Sequence, residues 1–138
     1  MESSARSTFP WRKSLVTNKL LSGRHVLVVE DEMLVLMTIE TMLADLGCES
    51  ITAAATAAQA IALTKSQVFD VAMLDLNLNG HQSYAVADAL VALGVPFAFS
   101  TGYSNDGMRD DYRDRPVLRK PYQPDAMAHI LGGLLAAQ

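Results

Sequence analysis

Acidic residues that follow apolar runs are the first feature of this sequence that suggests chemistry. Glu30 and Asp31 come directly after the run His25–Val29, and Asp75 comes after Val71–Leu74. Acidic residues are also favoured at the start of a helix, so the first group alone decides nothing. Neighbouring carboxylates repel one another unless a cation offsets them, and Mg²⁺ takes oxygen ligands of this kind. Two such groups at one edge of a fold could hold a metal ion and a phosphoryl group between them.

Hydroxyl groups and a lysine follow the next two apolar runs. The segment Val95–Tyr103, VPFAFSTGY, presents the hydroxyls of Ser100 and Thr101, and Lys120 follows the short run before Pro121. A lysine offers a compact positive charge to a phosphate oxygen, and phosphoryl transfer relies mainly on positioning and on charge stabilisation. Each residue type is commonplace at such a position. Carboxylates, an aspartate, a hydroxyl and a lysine in succession indicate a phosphoryl-transfer site.

The elements that must position these residues can be read from hydrophobic patterning. Five short apolar runs alternate with segments of helical periodicity, which predicts a parallel sheet with helices on both faces. A doubly wound sheet of this kind binds ligands at the carboxyl ends of its strands, where the candidate residues lie. The predicted strands are His25–Val29, Ser50–Ala53, Val71–Leu74, Phe97–Ser100 and Val117–Leu118.

Helices are predicted between the runs, where apolar residues recur every three or four positions. Gly47 and Gly94 are expected to end two of them, and Pro124 to begin the last. The second helix is predicted over Ala57–Thr64 and the third over Tyr84–Leu93. The residues expected to face inward are Leu36, Ile39, Leu43 and Leu46 in the first helix, Val86, Leu90 and Leu93 in the third, and Met127, Ile130 and Leu134 in the last.

Length and charge narrow the class of protein. The 138 residues suit one domain, and half of them are hydrophobic, enough for a sizeable core. Five of the 11 Lys and Arg residues but one of the 15 Asp and Glu residues lie in residues 1–24, so residues 25–138 carry a net charge of −8. An acidic body argues against nucleic-acid binding. The lone Cys48 and the lack of an apolar run of about 18 residues predict a cytoplasmic protein without a membrane span.

These residues resemble the receiver domain of response regulators in two-component signalling, and the resemblance covers about residues 24–136. It implies a flavodoxin-like, doubly wound five-stranded parallel sheet, with residues 1–23 as an N-terminal tail and 24–138 as the receiver domain. A short tail helix is expected around Trp11–Leu21. Matched one by one, the acidic pair is Glu30 and Asp31, the phosphoacceptor is Asp75, the switch hydroxyl is Thr101 and the basic residue is Lys120.

The resemblance also implies a mechanism. The Asp75 carboxylate would attack a phosphohistidine of a sensor histidine kinase or phosphotransfer protein, or a small phosphodonor, and the protein would be its own substrate rather than an enzyme. Thr101 and Lys120 would hold the acyl phosphate. Mg²⁺ would be bound by Asp31, Asp75 and the backbone carbonyl of Asn77, and by Glu30 through water.

The motif PFAFSTGY is similar to that of the FATGUY subgroup of stand-alone receivers, with Ser100 in place of the usual Ala. Val117 stands where receivers usually have Tyr or Phe, and a valine cannot perform the ring rotation that couples the switch hydroxyl to the last strand. Tyr103 is therefore predicted to respond instead. Only 18 residues separate Thr101 from Lys120, which predicts a short or irregular fourth helix around Asp106–Arg113.

Two competing interpretations remain. A phosphatase of the haloacid dehalogenase type also uses an aspartate at a strand end, but its second carboxylate is missing because Asn77 stands there. A degenerate receiver would act through contacts with an unidentified downstream protein and would need no phosphorylation.

The resemblance also predicts that the Lys120–Pro121 bond is cis, which turns the lysine back over the site.

Overall fold

A computed structural model describes residues 20–102 and 108–137 of the chain. In chain order the elements are β1 (His25–Val29), α1 (Met33–Asp45), β2 (Ser50–Ala54), α2 (Ala57–Ser66), β3 (Val71–Asp75), β4 (Asn77–Leu78), β5 (His81–Gln82), α3 (Tyr84–Leu93), β6 (Phe97–Thr101), β7 (Val117–Arg119) and α4 (Pro124–Ala136). Five of the strands form one parallel sheet in the order β2-β1-β3-β6-β7, and β4 and β5 form an antiparallel hairpin. The predicted doubly wound fold is confirmed.

Two hydrophobic clusters cover the two faces of the sheet. One contains the inward residues of α1 and α4, with Ile39, Leu43, Met127 and Leu131 fully buried or nearly so. The other contains the inward residues of α2 and α3, among them Ala60, Val86 and Leu90. Strands that are buried on both faces read as continuous apolar runs, which is why the runs predicted the strands so closely. Within residues 20–102 and 108–137, no helix is long and apolar enough to cross a membrane.

The helices end at Gly47 and Gly94 as predicted. Gly47 and Gly94 have positive φ angles of 89° and 72°, which glycine adopts without steric cost just after a helix. The hydroxyl of Thr56 accepts a hydrogen bond from the Gln59 N–H and caps α2.

The prediction that Leu93 faces inward is wrong, because Leu93 is 57% exposed. It is the last residue of α3 and lines a surface cavity between α2 and α3.

The strands extend slightly beyond their predicted bounds, and this places the candidate residues inside the sheet. Asp75 is the last residue of β3 and Thr101 is the last residue of β6. In the parallel register, Asp75 pairs with Ser100, and Thr101 pairs with Arg119. Neighbouring strands therefore end at the same edge, with the candidate residues beside one another.

In the part of the connection between β6 and β7 that the structure describes, residues 108–116 contain one 3-10 turn, Asp110–Tyr112, which agrees with the prediction of a short fourth helix. Arg109 fastens this connection to α3. Its guanidinium lies 2.7 Å from an Asp88 oxygen and packs over the rings of Tyr84 and Tyr112, at 5.0 and 4.9 Å from their centroids. The ion pair and the cation–π contacts of Arg109 thus hold this connection against α3.

The chain before β1 contributes to the core. Leu20 to Gly23 form a turn, Leu21 is fully buried, and the Leu21 N–H donates to the carbonyl of Leu46 at 2.9 Å. The packed core therefore begins before residue 24. The predicted tail helix lies mostly in residues 1–19, outside the described residues.

Candidate functional site

The three predicted carboxylates lie together at the carboxyl edge of the sheet. Glu30 and Asp31 follow β1, Asp75 ends β3, and these two strands are neighbours. One oxygen from each side chain lies within 4.8 Å of the others. Glu30 and Asp75 are only 2% and 5% exposed, and Asp31 is half-buried. The sheet topology thus brings three carboxyl groups together, two of them buried.

An open cavity of about 380 Å³ lies over Asp31 and Asp75, whereas Glu30 is buried and is not among the described residues that line the cavity. It joins the ends of β1, β3, β6 and β7, so it brings Asp31, Asp75, Thr101 and Lys120 to one surface, as predicted. Among the described residues, Ser100 does not line the cavity, contrary to the expectation that its hydroxyl reaches this edge. The lining residues are Asp31, Glu32, Asp75, Asn77, Asn79, Gly80, Thr101, Gly102 and Lys120.

Lys120 supplies positive charge to the cluster. Its Nζ atom lies 3.3 Å from Asp75 Oδ2 and 3.4 Å from Glu30 Oε1. The Lys120 backbone N–H donates to the Thr101 carbonyl at 3.0 Å, which continues the pairing of β6 and β7 by one residue. The Lys120–Pro121 bond is cis, as predicted.

The lysine does not balance the carboxylates. Burial, together with the negative charge of Asp75, raises the pKa of Glu30 to about 7. Glu30 Oε1 accepts no hydrogen bond from any described residue and faces the ammonium of Lys120. When all three carboxylates are ionised, one lysine leaves two negative charges, which a divalent cation would offset. An all-oxygen donor set with open space beside it fits a hard ion such as Mg²⁺.

The β4–β5 hairpin was not predicted, and it supplies part of the site. Asn79 and Gly80 form its turn with φ angles of 53° and 84°, and the Asn79 N–H donates to Asp31 Oδ2 at 3.1 Å. The Gly80 N–H donates to the side-chain oxygen of Asn77 at 2.8 Å. An Asn-Gly pair between short strands is a strong sequence signal for a hairpin turn of this type. That dipeptide could have revealed the hairpin, which holds Asp31 toward the cavity.

Ser83 is a second residue that sequence reasoning missed. It is fully buried, and its hydroxyl donates to the backbone carbonyl of Asp75 at 2.7 Å. The Asn77 N–H donates to Asp75 Oδ1 at 3.2 Å. The main chain and the side chain of Asp75 are therefore both held in place. Nothing in the local sequence around Ser83 distinguishes it from an ordinary residue before a helix.

Of the three predicted switch residues, the structure describes Thr101 and Val117. Val117 is the first residue of β7 and packs beside the cluster that contains Phe97 and Phe99. Thr101 is 3% exposed. Tyr103 lies outside the described residues, so its proposed response to phosphorylation stays a prediction.

Comparison with known proteins identifies the family. Residues 26–131 match the model of the response regulator receiver domain. No curated protein matches the chain. Among solved structures, SdrG from Sphingomonas melonis Fr1 is 41% identical over 84% of this chain and 98% of its own, with a TM-score of 0.73.

Two other structures agree with this match. SdrG from Pseudomonas melonis Fr1, in its BeF3-activated conformation, is 41% identical over 80% of this chain and 95% of its own, with a TM-score of 0.72. The receiver domain of PhyR from Erythrobacter litoralis is 27% identical over 85% of this chain and 93% of its own, with a TM-score of 0.74. Because the family match spans most of the sequence and a 41% identical relative is covered almost completely, this chain belongs to the response regulator receiver domain family.

Proposed function

We propose that the chain is a response regulator receiver in which Asp75 accepts a phosphoryl group from a histidine kinase or phosphotransfer protein. The observation that carries this proposal is the placement of Asp75 in the cavity. Lys120 contacts its Oδ2 atom, and two further carboxylates lie within 4.8 Å on the β1 side. A nucleophile, a cation site and a lysine around one open cavity are what phosphoryl transfer requires.

In the proposed reaction, a carboxylate oxygen of Asp75 forms a bond to phosphorus while the bond from phosphorus to the donor nitrogen breaks. Lys120 and the hydroxyl of Thr101 hold the oxygens of the acyl phosphate. Asp31, Asp75 and the carbonyl of Asn77 would bind Mg²⁺, with Glu30 acting through water. The bound cation would neutralise charge on the phosphoryl oxygens.

The comparison with SdrG supports the proposal. A relative that is 41% identical was solved in a BeF3-activated conformation. In this chain, a phosphoryl group on Asp75 would lie in the cavity that Asp75 lines. The activated chain would then signal through altered contacts with a downstream protein in the cytoplasm.

The direct test is incubation with acetyl phosphate, followed by intact-mass spectrometry. With Mg²⁺ we expect a gain of one phosphoryl group, and with EDTA in place of Mg²⁺ we expect the mass to stay unchanged. An unchanged mass in both samples, under conditions in which another receiver domain is modified, would contradict the proposal. The degenerate receiver, which acts without phosphorylation, would then be favoured.

An exposed apolar patch at the start of α1 suggests where the phosphodonor protein docks. Met33, Leu34 and Met37 are 68%, 79% and 53% exposed, and α1 begins directly after Glu32, which lines the cavity. A protein that presents a phosphohistidine to Asp75 must cover this rim. Exposed apolar patches commonly mark such interaction sites.

We expect Leu34→Glu to lower kcat/KM for transfer from the cognate kinase by about tenfold, because a buried apolar contact becomes a charge. Phosphorylation by acetyl phosphate should stay at the wild-type rate, since this small donor needs no docking surface. Val68→Glu is the matched control, because Val68 is 86% exposed but precedes the amino end of β3, opposite the site. Equal loss with both variants, or loss with acetyl phosphate, would contradict docking on α1.

A further inference from the structure

Ser100 lies between the strand that carries the phosphoacceptor and the strand that leads to the lysine. In β6 it pairs with Asp75 on one side and with Leu118 on the other. Successive side chains in a strand point to opposite faces, so Ser100 points away from the face that Thr101 presents. Ser100 is only 2% exposed, so its hydroxyl needs a partner within the protein.

That partner is the hydroxyl of Tyr122, which forms a hydrogen bond with the hydroxyl of Ser100. Tyr122 is 8% exposed and packs in the cluster formed by α1, α4 and the sheet. Burial raises the pKa of Tyr122 to about 12, so the hydroxyl stays neutral and can donate. Losing either hydroxyl leaves the other buried without this partner, which is costly.

This hydrogen bond fastens the chain just beyond the lysine. The backbone N–H of Lys120 itself donates a hydrogen bond to the carbonyl of Thr101 at 3.0 Å. Two residues later in the chain, after Pro121, the hydroxyl of Tyr122 is hydrogen-bonded to the hydroxyl of Ser100. The lysine is therefore held from both sides against the last two residues of β6. Its Nζ atom then reaches Asp75 Oδ2 and Glu30 Oε1, at 3.3 and 3.4 Å.

We propose that Ser100 and Tyr122 are positioning residues, whose hydrogen bond holds Lys120 against Asp75 for phosphoryl transfer. The inference rests on the proposed function of Asp75. It concerns how the lysine is placed and assigns no direct contact between Tyr122 and the phosphoryl group.

The test compares the phosphorylation rates of variants of the whole 138-residue chain with acetyl phosphate and Mg²⁺. We expect Tyr122→Phe and Ser100→Ala each to lower the rate constant by about three- to tenfold, the effect of losing one hydrogen bond. If both act through the same bond, the double variant should be no slower than the slower single variant. In a Lys120→Ala background, Tyr122→Phe should have no further effect, because there is no lysine left to position.

A second measurement needs no phosphorylation. Hydrogen exchange of the Lys120 N–H should be about tenfold faster in Tyr122→Phe and in Ser100→Ala, because the segment after the lysine is no longer fastened. Tyr112→Phe is the matched control, since it removes a buried hydroxyl bonded to Asp88 in the other core cluster. That control should keep the wild-type rate constant and the wild-type exchange of Lys120.

The outcomes separate this inference from the proposed function. If wild type accepts phosphate and Tyr122→Phe reacts at the same rate, the positioning role is overturned. The positioning role is also overturned if Tyr122→Phe slows the reaction in the Lys120→Ala background as it does in the wild-type background, because Tyr122 would then act by another route. If wild type accepts no phosphate, the proposed function fails. Independently of that result, wild-type hydrogen exchange of the Lys120 N–H in Tyr122→Phe and Ser100→Ala would overturn the claim that the Ser100–Tyr122 hydrogen bond holds Lys120 in place.

Discussion

Asp75→Asn is expected to abolish the gain in mass that acetyl phosphate and Mg²⁺ produce in the wild-type protein. An amide is a poor nucleophile and does not form an acyl phosphate, so no slower reaction should replace the lost one. The substitution keeps the shape of the side chain and an oxygen that can accept the hydrogen bond from the Asn77 N–H, at 3.2 Å in the wild-type site. The folded state should therefore survive. Intact-mass spectrometry over a time course measures the effect.

Asp125→Asn is the control for this experiment, because Asp125 is an exposed aspartate in the first turn of α4. It should gain mass as the wild type does. A phosphorylated Asp75→Asn protein would show that another residue accepts the group, and the proposed assignment of the site would then be wrong.

Glu30→Gln is expected to stabilise the protein at pH 8 in the absence of divalent cations. The pKa of Glu30 is raised from 4.5 to about 7, mainly by burial and then by the charge of Asp75. Between these values the folded protein retains a proton that the unfolded chain has lost. The free energy of unfolding therefore falls as the pH rises from about 4.5 to about 7, and the full penalty remains above that range. A shift of this size corresponds to about 3 kcal/mol.

Urea denaturation at pH 8 and at pH 4.5, each with EDTA, measures the difference between wild type and Glu30→Gln. The stabilisation should be present at pH 8 and small at pH 4.5, where Glu30 of the wild type is protonated in the folded state and about half protonated in the unfolded chain. Added Mg²⁺ should stabilise wild type more than the variant and reduce the gap. Glu49→Gln, at an exposed position, should change little. A variant that is less stable than wild type at pH 8 would show that the contact with Lys120 outweighs the cost of burial.

The residues of the candidate site could be predicted from the sequence because each follows an apolar run. A parallel sheet brings the carboxyl ends of its strands to one edge, so Asp75, Thr101 and Lys120 needed only the strand assignments to be placed together. Helix stops at Gly47 and Gly94 were equally readable, since each glycine supplies a positive φ that other residues rarely adopt. Local patterning was sufficient for the fold and for the main members of the site.

Only the tertiary structure decided which way the side chains of the central strands point. All five residues of β6 are buried, so the strand has no alternation of polar and apolar residues from which to read its two faces. The hydroxyl of Ser100 was therefore expected at the cavity with Thr101, whereas it lies on the opposite face and bonds to Tyr122. The partner comes from 22 residues away in the sequence. A contact between distant segments depends on how the strands and the following loop pack, and no local pattern records it.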